Sequence, residues 1–346
     1  MFKQFTLFRF PDDWTVPAVS AIEEALGLAR FAPTGPTQRE AVGWIEPRGE
    51  KHGPLIESIG GHLILKLMTE VRKLPASAVK DKLAERIEKL KEERGLQRVG
   101  AAMKKELKEQ IELEMLPHCF TSKGATLIWI DPAAKTLVVA AGAVKKADRI
   151  ISMMIDAFTE IGDAPSIRPL NTQTSPSTAM SDWLATQEPP QDFTVDRECE
   201  LKSGDGEKSV VRYSRHTLDI QEVVEHIKLR GKTPTKLAIT FMERVSCVLC
   251  EDLSIKKVKF LDVAFESTNK ADSGFDADVA IATGELSKFI KALVEVLGGE
   301  FQIGAGGEVA AVSQKSGPET PSAATASPFE AEGSAAEHES EAEVLA

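Results

Sequence analysis

The stretch from residue 76 to residue 115 constrains the fold more than any other part of this sequence, because it is almost purely helical in character. Its apolar residues form two narrow stripes at helical spacing: Val79, Leu83, Ile87 and Leu90, then Val99, Met103, Leu107, Ile111 and Met115. Gly95 and Gly100 lie between the stripes. One unbroken helix would extend about 60 Å, and two helices folded about the glycines would make a hairpin of about half that length. Because a narrow stripe leaves most of a helix in water, the pattern predicts a projecting helical tip.

Phe120 closely follows this helical stretch, which Pro117 brings to an end. A phenylalanine at such a position either anchors the tip in the core or contacts a partner. The sequence alone leaves both interpretations open.

The rest of the chain alternates between strand and helix patterns. Strands are predicted in the opening MFKQFTLFRF and at residues 41–45, 62–68, 126–130, 136–140, 236–249, 255–260 and 277–282. Helices are predicted at 17–29 and 143–161, at 219–230 behind the capping box Asp219-x-x-Glu222, and from a capping Thr283 to the Gly298-Gly299 pair. Because consecutive strands read as hairpins, the pattern favours an α+β fold with antiparallel sheets and packed helices over a parallel, doubly wound sheet.

The net charge of −11 at first argues against a nucleic-acid partner, but the charge is unevenly distributed. Residues 305–346 hold eight acids and one base among small and polar residues, which predicts a disordered acidic tail. Two stretches are basic: residues 80–109 hold ten bases and seven acids, and residues 208–259 hold eleven bases and six acids. Since charge acts locally, each basic stretch is either a solvated face or a surface for an anionic partner.

No catalytic motif, metal site or cofactor is predicted from the sequence. Cys247-x-x-Cys250 has the spacing of a metal or redox pair, but it lacks a second pair and lies in a strand-like run, so thiols without metal are expected. The carboxylates of Asp272, Asp276 and Asp278 miss the spacing of a calcium-binding EF-hand loop. The opening lacks a continuous apolar region and no long apolar run follows it, so a reduced cytoplasmic protein without a membrane partner is expected.

A series of short phrases runs in a fixed order over residues 1–300: the opening MFKQFTLFRF, GWI at 43–45, KLP at 73–75, LPHCF at 116–120, LIWID at 127–131, KKA at 145–147, TKLA at 235–238, KVKF at 257–260 and TGEL at 283–286. Taken together, they resemble the RdgC family of bacterial recombination-associated proteins. None of them carries a mechanism by itself, and their ordered succession makes the resemblance specific. The tail from about residue 305 lies outside it.

The resemblance implies a ring-shaped homodimer that encircles duplex DNA with little sequence preference. Such a protein is associated with the nucleoid, limits the access of the RecA recombinase to DNA and is not an enzyme. The family pattern implies a central α+β region at 1–75 and 121–170, a helical tip at 76–120 and a C-terminal base region at 171–304, followed by the tail at 305–346. Two subunits would meet at tip and base, with Phe120 in the tip contact.

The resemblance also implies where DNA is contacted. Lys232 and Lys236 match family lysines that face DNA, while Arg215-His216 stands where the family has a Lys-Gln pair. His118 replaces a family arginine, which weakens a DNA-binding role at that position. With the basic stretches, these matches give a set of predicted DNA-binding residues: Arg212, Arg215, Lys228, Arg230, Lys232, Lys236, Lys104 and Lys105. The alternative for each is an ordinary surface base.

The expected function is therefore sequence-nonspecific binding of double-stranded DNA, driven by counterion release and steeply weakened by salt. Charge reversal at Lys232 together with Lys236 is expected to flatten that salt dependence. Two other functions stay open: a protein–protein scaffold that acts through the tip without touching DNA, and a metal-dependent nuclease that cleaves DNA with Mg²⁺.

Overall fold

The computed structural model describes residues 1–95, 97–204, 209–265 and 274–301. The chain divides into two units, Met1–Gln302 and Ile303–Ala346. The second unit lies outside the described residues, and with it the predicted disordered tail at 305–346. The account that follows concerns the first unit only.

The first unit is an α+β fold, as predicted, built from twelve named strands and seven α-helices within the described ranges. The strands are β1 Thr6–Arg9, β2 Glu40–Ile45, β3 Ile56–Ile59, β4 His62–Arg72, β5 Thr121–Asp131, β6 Thr136–Val139, β7 Arg168–Pro169, β8 Phe193–Ser203, β9 Val210–Ser214, β10 Lys232–Phe241, β11 Val245–Cys250 and β12 Ile255–Phe260. The helices are α1 Val19–Leu28, α2 Ala76–Arg94, α3 Ala101–Met115, α4 Val144–Glu160, α5 Pro176–Thr186, α6 Gln221–Lys228 and α7 Phe275–Val296.

Two antiparallel sheets organise these elements. The first sheet has the order β2-β4-β5-β6-β1-β7, with β3 paired to β4, and the second has the order β12-β11-β10-β8-β9. The paired strands run antiparallel in both sheets, which confirms the predicted sheet type. The predicted division into central, tip and base regions stays a prediction, as does the ring-shaped homodimer.

The centre of the first sheet is buried on both faces, because successive strand residues point to opposite sides. On β4, Leu63, Leu65 and Leu67 pack into a core shared with α1 and α4. Ile64 points the other way, into a larger core shared with the second sheet, α5 and α7. This shared core joins the two sheets.

The stretch at 76–115 forms a helical hairpin, α2 packed on α3, rather than one long helix. Gly95 ends α2 in the left-handed conformation with φ 61°, which glycine adopts at little cost. Within the two helices only Val79 of α2 and Leu107 and Ile111 of α3 are buried, and Val99 is buried between the helices, so most of the described surface of the hairpin faces water. The two helices thus pack on each other, which is one of the two arrangements that the sequence left open.

Phe120 is 88% exposed, so the interpretation of this residue as a core anchor is wrong. Its backbone is held in place, since Lys73 N–H donates to the Phe120 carbonyl at 2.8 Å. The side chain therefore stands in water at the foot of the hairpin.

The strand predicted at 236–249 is wrong as a single element, because the chain reverses within it. Met242 and Glu243 have φ values of 47° and 55°, and Arg244 N–H donates to the Phe241 carbonyl at 2.9 Å. The stretch is therefore the β10–β11 hairpin, with Phe241 opposite Val245.

Two predictions of helix starts are also wrong. The strand predicted at 277–282 and the capping role of Thr283 both fall inside α7, where the Thr283 hydroxyl donates to the Val279 carbonyl at 2.9 Å. Asp219 does not cap α6, which follows Ile220 without a side-chain capping bond. The predicted end of the last helix is confirmed, since Gly298 and Gly299 have φ values of 82° and 88°.

Candidate nucleic-acid interface

The second sheet has one face in the shared core and one face that carries charge. Leu237, Ile239 and Phe241 of β10 point into the core. The intervening positions point the other way, where Ala238 meets Val248 and Cys250 of β11 in a small separate cluster. We call this second side of the sheet the open face.

A row of charges crosses three strands of the open face. Glu200 of β8 lies opposite both Arg212 of β9 and Lys236 of β10. Arg212 Nε donates to Glu200 Oε2 at 2.6 Å, and Lys236 Nζ donates to Glu200 Oε1 at 2.9 Å. One carboxylate therefore brings together two of the predicted DNA-binding residues.

Glu200 stays ionised in this row. Its partial burial acts to raise the pKa, but hydrogen bonds from Lys236, Arg212 and Thr235 outweigh burial and lower the pKa of Glu200 to about 2. Since the carboxylate is charged at neutral pH, it offsets part of the positive charge of the two bases.

A groove of about 400 Å³ continues the open face beside this row. It is lined by both bases and acids, among them Arg197, Arg215, Lys257, Lys259, Asp196 and Glu198. Lys257 of β12 donates to Glu198 of β8, although β11 and β10 lie between these strands in the sheet. Asp196 accepts hydrogen bonds from Thr240 at 2.8 Å and Ser246 at 3.2 Å, so this carboxylate is already bonded within the sheet.

Lys257 and Lys259 are absent from the residues predicted to bind DNA, yet both line the groove. Alternation could have found Lys259, because its neighbour Val258 is 7% exposed and packs in the core. It could not have found Lys257, since Ile255 also packs in the core and strict alternation from Ile255 would turn Lys257 inward. Lys257 has a φ of 53° where the pairing of β12 with β11 is irregular.

Lys232 differs from the other predicted bases because it is only 7% exposed. Its ammonium group donates to the hydroxyl and the carbonyl oxygen of Ser209. Lys228 and Arg230, at the C-terminal end of α6, are exposed. Within the described residues, neither of these two lies within 4 Å of a carboxylate, so both cations are available to an anionic partner.

Lys104 and Lys105 lie on α3 of the helical hairpin, where both are exposed. The Lys105 ammonium lies 3.9 Å from Glu109, one turn along the helix. The eight predicted residues therefore form two groups, one on the second sheet and its adjoining helix and one on the hairpin.

Other chemistry finds little support in the described ranges. No group of three or more His, Cys, Asp or Glu side chains in these ranges is placed to hold a metal ion. Cys247 and Cys250 are buried in β11, and burial raises the pKa of both thiols, which disfavours the reactive thiolate. Of the helices described, not one combines the length and apolar character needed to cross a membrane.

Comparison with known proteins decides the family. The family model described as "Putative exonuclease, RdgC" matches residues 1–300. A recombination-associated protein RdgC from Dechloromonas aromatica is 40% identical over 306 residues, covering 86% of this chain and 98% of that protein. The protein of the same name from Cupriavidus pinatubonensis is 38% identical over 303 residues, with 86% and 98% covered.

The chain belongs to the RdgC family. A relative from Bordetella pertussis, 35% identical over 308 residues, covers 87% of this chain and 99% of its own length. The resemblance inferred from the ordered phrases is thereby confirmed. As an RdgC-family member the protein is recombination-associated, and its predicted DNA-binding residues lie on the second sheet, at the end of α6 and on the hairpin.

Proposed function

We propose that this RdgC-family protein binds double-stranded DNA without sequence preference, as a homodimeric ring that encircles the duplex. The observation that carries the proposal is the concentration of bases on and beside the open face, where Arg212, Arg215, Lys236, Lys257 and Lys259 lie together. Nonspecific binding needs cations at phosphate spacing and no readers of base edges. Encirclement would let individually weak contacts retain the DNA.

The test of DNA binding is a salt titration on a random-sequence duplex, read by fluorescence anisotropy. We expect affinity to fall steeply between roughly 50 and 200 mM salt, because bound phosphates release counterions. Replacing Arg215 and Lys259 by glutamine should reduce the slope of log affinity against log salt by about 0.9 for each phosphate that is no longer neutralised. A wild-type affinity that does not change with salt would overturn the electrostatic account.

Lys232 is a poor choice for this test, although it matches a family lysine. At 7% exposure and bonded to Ser209, its charge reversal would disturb the packing of β10 as well as any DNA binding. The exposed bases Lys228 and Arg230 are better probes, since truncating an exposed side chain leaves the fold intact.

In the proposed ring, Phe120 makes the contact between subunits at the tip. An aromatic side chain that is 88% exposed costs little stability when it is removed, whereas its removal would weaken a subunit interface that buries it. We expect Phe120→Ala to keep the thermal unfolding midpoint of the protomer and to weaken its dimerisation in sedimentation velocity. Leu116→Ala, at a site only 4% exposed, is the contrasting variant that should lower stability.

A protein–protein scaffold acting through the tip is the second candidate, because the same exposed Phe120 would serve it. The two functions differ in how they depend on the bases. A scaffold would keep its partner binding when Arg215 and Lys259 are neutralised and would shift no duplex DNA.

We further propose that the protein has no nuclease activity and acts by occupying DNA in the cytoplasm, at the nucleoid, so that the RecA recombinase has less access to it. Incubating the protein with end-labelled duplex and Mg²⁺ should leave the DNA intact, and shortened products would overturn this part. Strand exchange by RecA on DNA that is already coated with the protein should slow in proportion to the coverage.

A further inference from the structure

Three bases of the open face are already paired with carboxylates of one strand. Glu200 holds Arg212 and Lys236, and Glu198 holds Lys257. The two acids are alternate residues of β8, so their side chains leave the same face of the sheet. The strand therefore presents a short line of negative charge between flanking bases.

A DNA phosphate and a glutamate carboxylate offer the same thing to these bases, namely anionic oxygens that accept charge-assisted hydrogen bonds. A phosphate can gain a base of the row only if the carboxylate gives that base up. Each such exchange removes one ion pair and forms another, so the net gain in binding is smaller than for an unpaired base.

We propose that Glu198 and Glu200 act as internal substitutes for DNA phosphate, which hold the bases in place and lower the affinity for DNA. This inference rests on the proposed function and deepens it. The consequence is that individual contacts form and release readily, which suits a protein that must stay on DNA without being fixed at one place.

The exposure of the partners supports exchange over a purely structural role. The side chain of Arg212 is 73% exposed and that of Lys236 is 39% exposed, while Glu200 is 18% exposed. Both bases can therefore turn toward a ligand while the carboxylate stays in the sheet. The Glu198–Lys257 pair is also open to water, with side chains that are 39% and 61% exposed, and an ion pair this exposed contributes little to stability.

The test compares Glu198→Gln and Glu200→Gln with wild type in the anisotropy titration on random-sequence duplex. We expect each variant to bind about threefold to tenfold more tightly at 100 mM salt and to steepen the salt slope by about 0.9 for each base released to a phosphate. The matched control is Glu188→Gln, which removes the same charge from an exposed residue between α5 and β8. Within the described residues, Glu188 has no basic side chain within 4 Å, so its variant should change the affinity less than twofold.

The outcomes separate this inference from the proposed function. If wild type does not bind duplex DNA, the proposed function fails. If wild type binds with the expected salt slope but Glu200→Gln and Glu198→Gln bind no better than Glu188→Gln, only the substitution of phosphate by carboxylate is overturned. Loss of the folded state in both variants, seen by circular dichroism, would also overturn it, because the carboxylates would then be required by the fold.

Discussion

Gly43 is a residue at which a single added methyl group would meet the backbone of a neighbouring segment. Residues 29–31 lie directly against β2. Phe31 N–H donates to the Trp44 carbonyl at 2.9 Å, and Trp44 N–H donates to the Ala29 carbonyl at 3.0 Å. A Cβ atom on Gly43 would lie 2.4 Å from Phe31 Cα and 2.9 Å from the Ala29 carbonyl oxygen. Both of these neighbours are backbone atoms, which cannot rotate away.

We therefore expect Gly43→Ala to lower the free energy of unfolding by about 3 kcal/mol, measured by urea denaturation. Gly124→Ala on β5 is the control, since a Cβ there meets nothing within 4 Å. That variant should stay within about 1 kcal/mol of wild type, or gain slightly from reduced backbone freedom in the unfolded chain. If both substitutions changed the free energy of unfolding equally, the segment around Phe31 would have moved to make room for the added methyl group.

Individual bases were easier to predict than the acids that pair with them. Arg212 and Lys236 follow from the basic stretch at 208–259 and the family resemblance, and both lie on the open face. Glu200 has no such signal, because its partners lie 12 and 36 residues away and meet it only through the sheet register. The burial of Lys232 could not be predicted for the same reason. Its ammonium group donates to Ser209, which immediately precedes β9 and meets Lys232 only in the folded sheet.

Helices and strands were predicted well where one hydrophobic periodicity covers a single element. They were predicted poorly where the same periodicity runs on through two consecutive elements. The helices predicted at 17–29 and 143–161 are confirmed as α1 and α4. The odd positions of the run at 236–249 are apolar on both sides of the Met242-Glu243 turn and only Glu243 departs from this, so the apolar pattern has the same phase before and after the reversal. The run at 277–282 is rich in Val, Ile and Ala, which suits either a strand or the buried side of a helix. β3, β7, β8, β9 and α5 have no counterpart among the predicted elements.

The β10–β11 turn gives a prediction at the scale of this hairpin. Glu243 has φ 55°, a conformation that costs a residue with a side chain roughly 1 kcal/mol and glycine almost nothing. We expect Glu243→Gly to raise the free energy of unfolding by about 0.5 kcal/mol, in urea denaturation. The same change at Glu251, whose φ is not positive, should lower it by a similar amount, and a loss at both positions would show that the turn is not strained.

At the scale of the whole unit, an ion pair connects the β10–β11 turn to α7. Arg244 donates to Glu285 of α7 through two bonds, Nε to Oε2 at 2.7 Å and the terminal nitrogen to Oε1 at 2.8 Å. The pair joins the second sheet to the helix that covers its core face. The hydrogen bond from Arg244 lowers the pKa of Glu285 from its ordinary value of 4.5, against the opposing effect of burial.

This lowered pKa makes the stability of the unit depend on pH in a known direction. A carboxylate whose folded pKa is below its unfolded pKa binds fewer protons in the folded state, so its contribution to stability is complete above about pH 4.5 and is lost as pH falls through the folded value.

Glu285→Gln should thus be about 2 kcal/mol less stable than wild type at pH 7, because it replaces the charged acceptor of the two Arg244 bonds by a neutral amide. Below about pH 4.5 the difference should shrink, because the carboxyl group of the unfolded wild type takes up a proton first and that of the folded protein follows as the pH falls through its lowered pKa. Urea unfolding from pH 7 to pH 3, followed by the fluorescence of the four tryptophans, measures the difference. Glu188→Gln serves as the control and should differ little from wild type at any pH. If the difference in the free energy of unfolding between Glu285→Gln and wild type stayed constant down to pH 3, the pair would stabilise the fold through its shape and not through its charge.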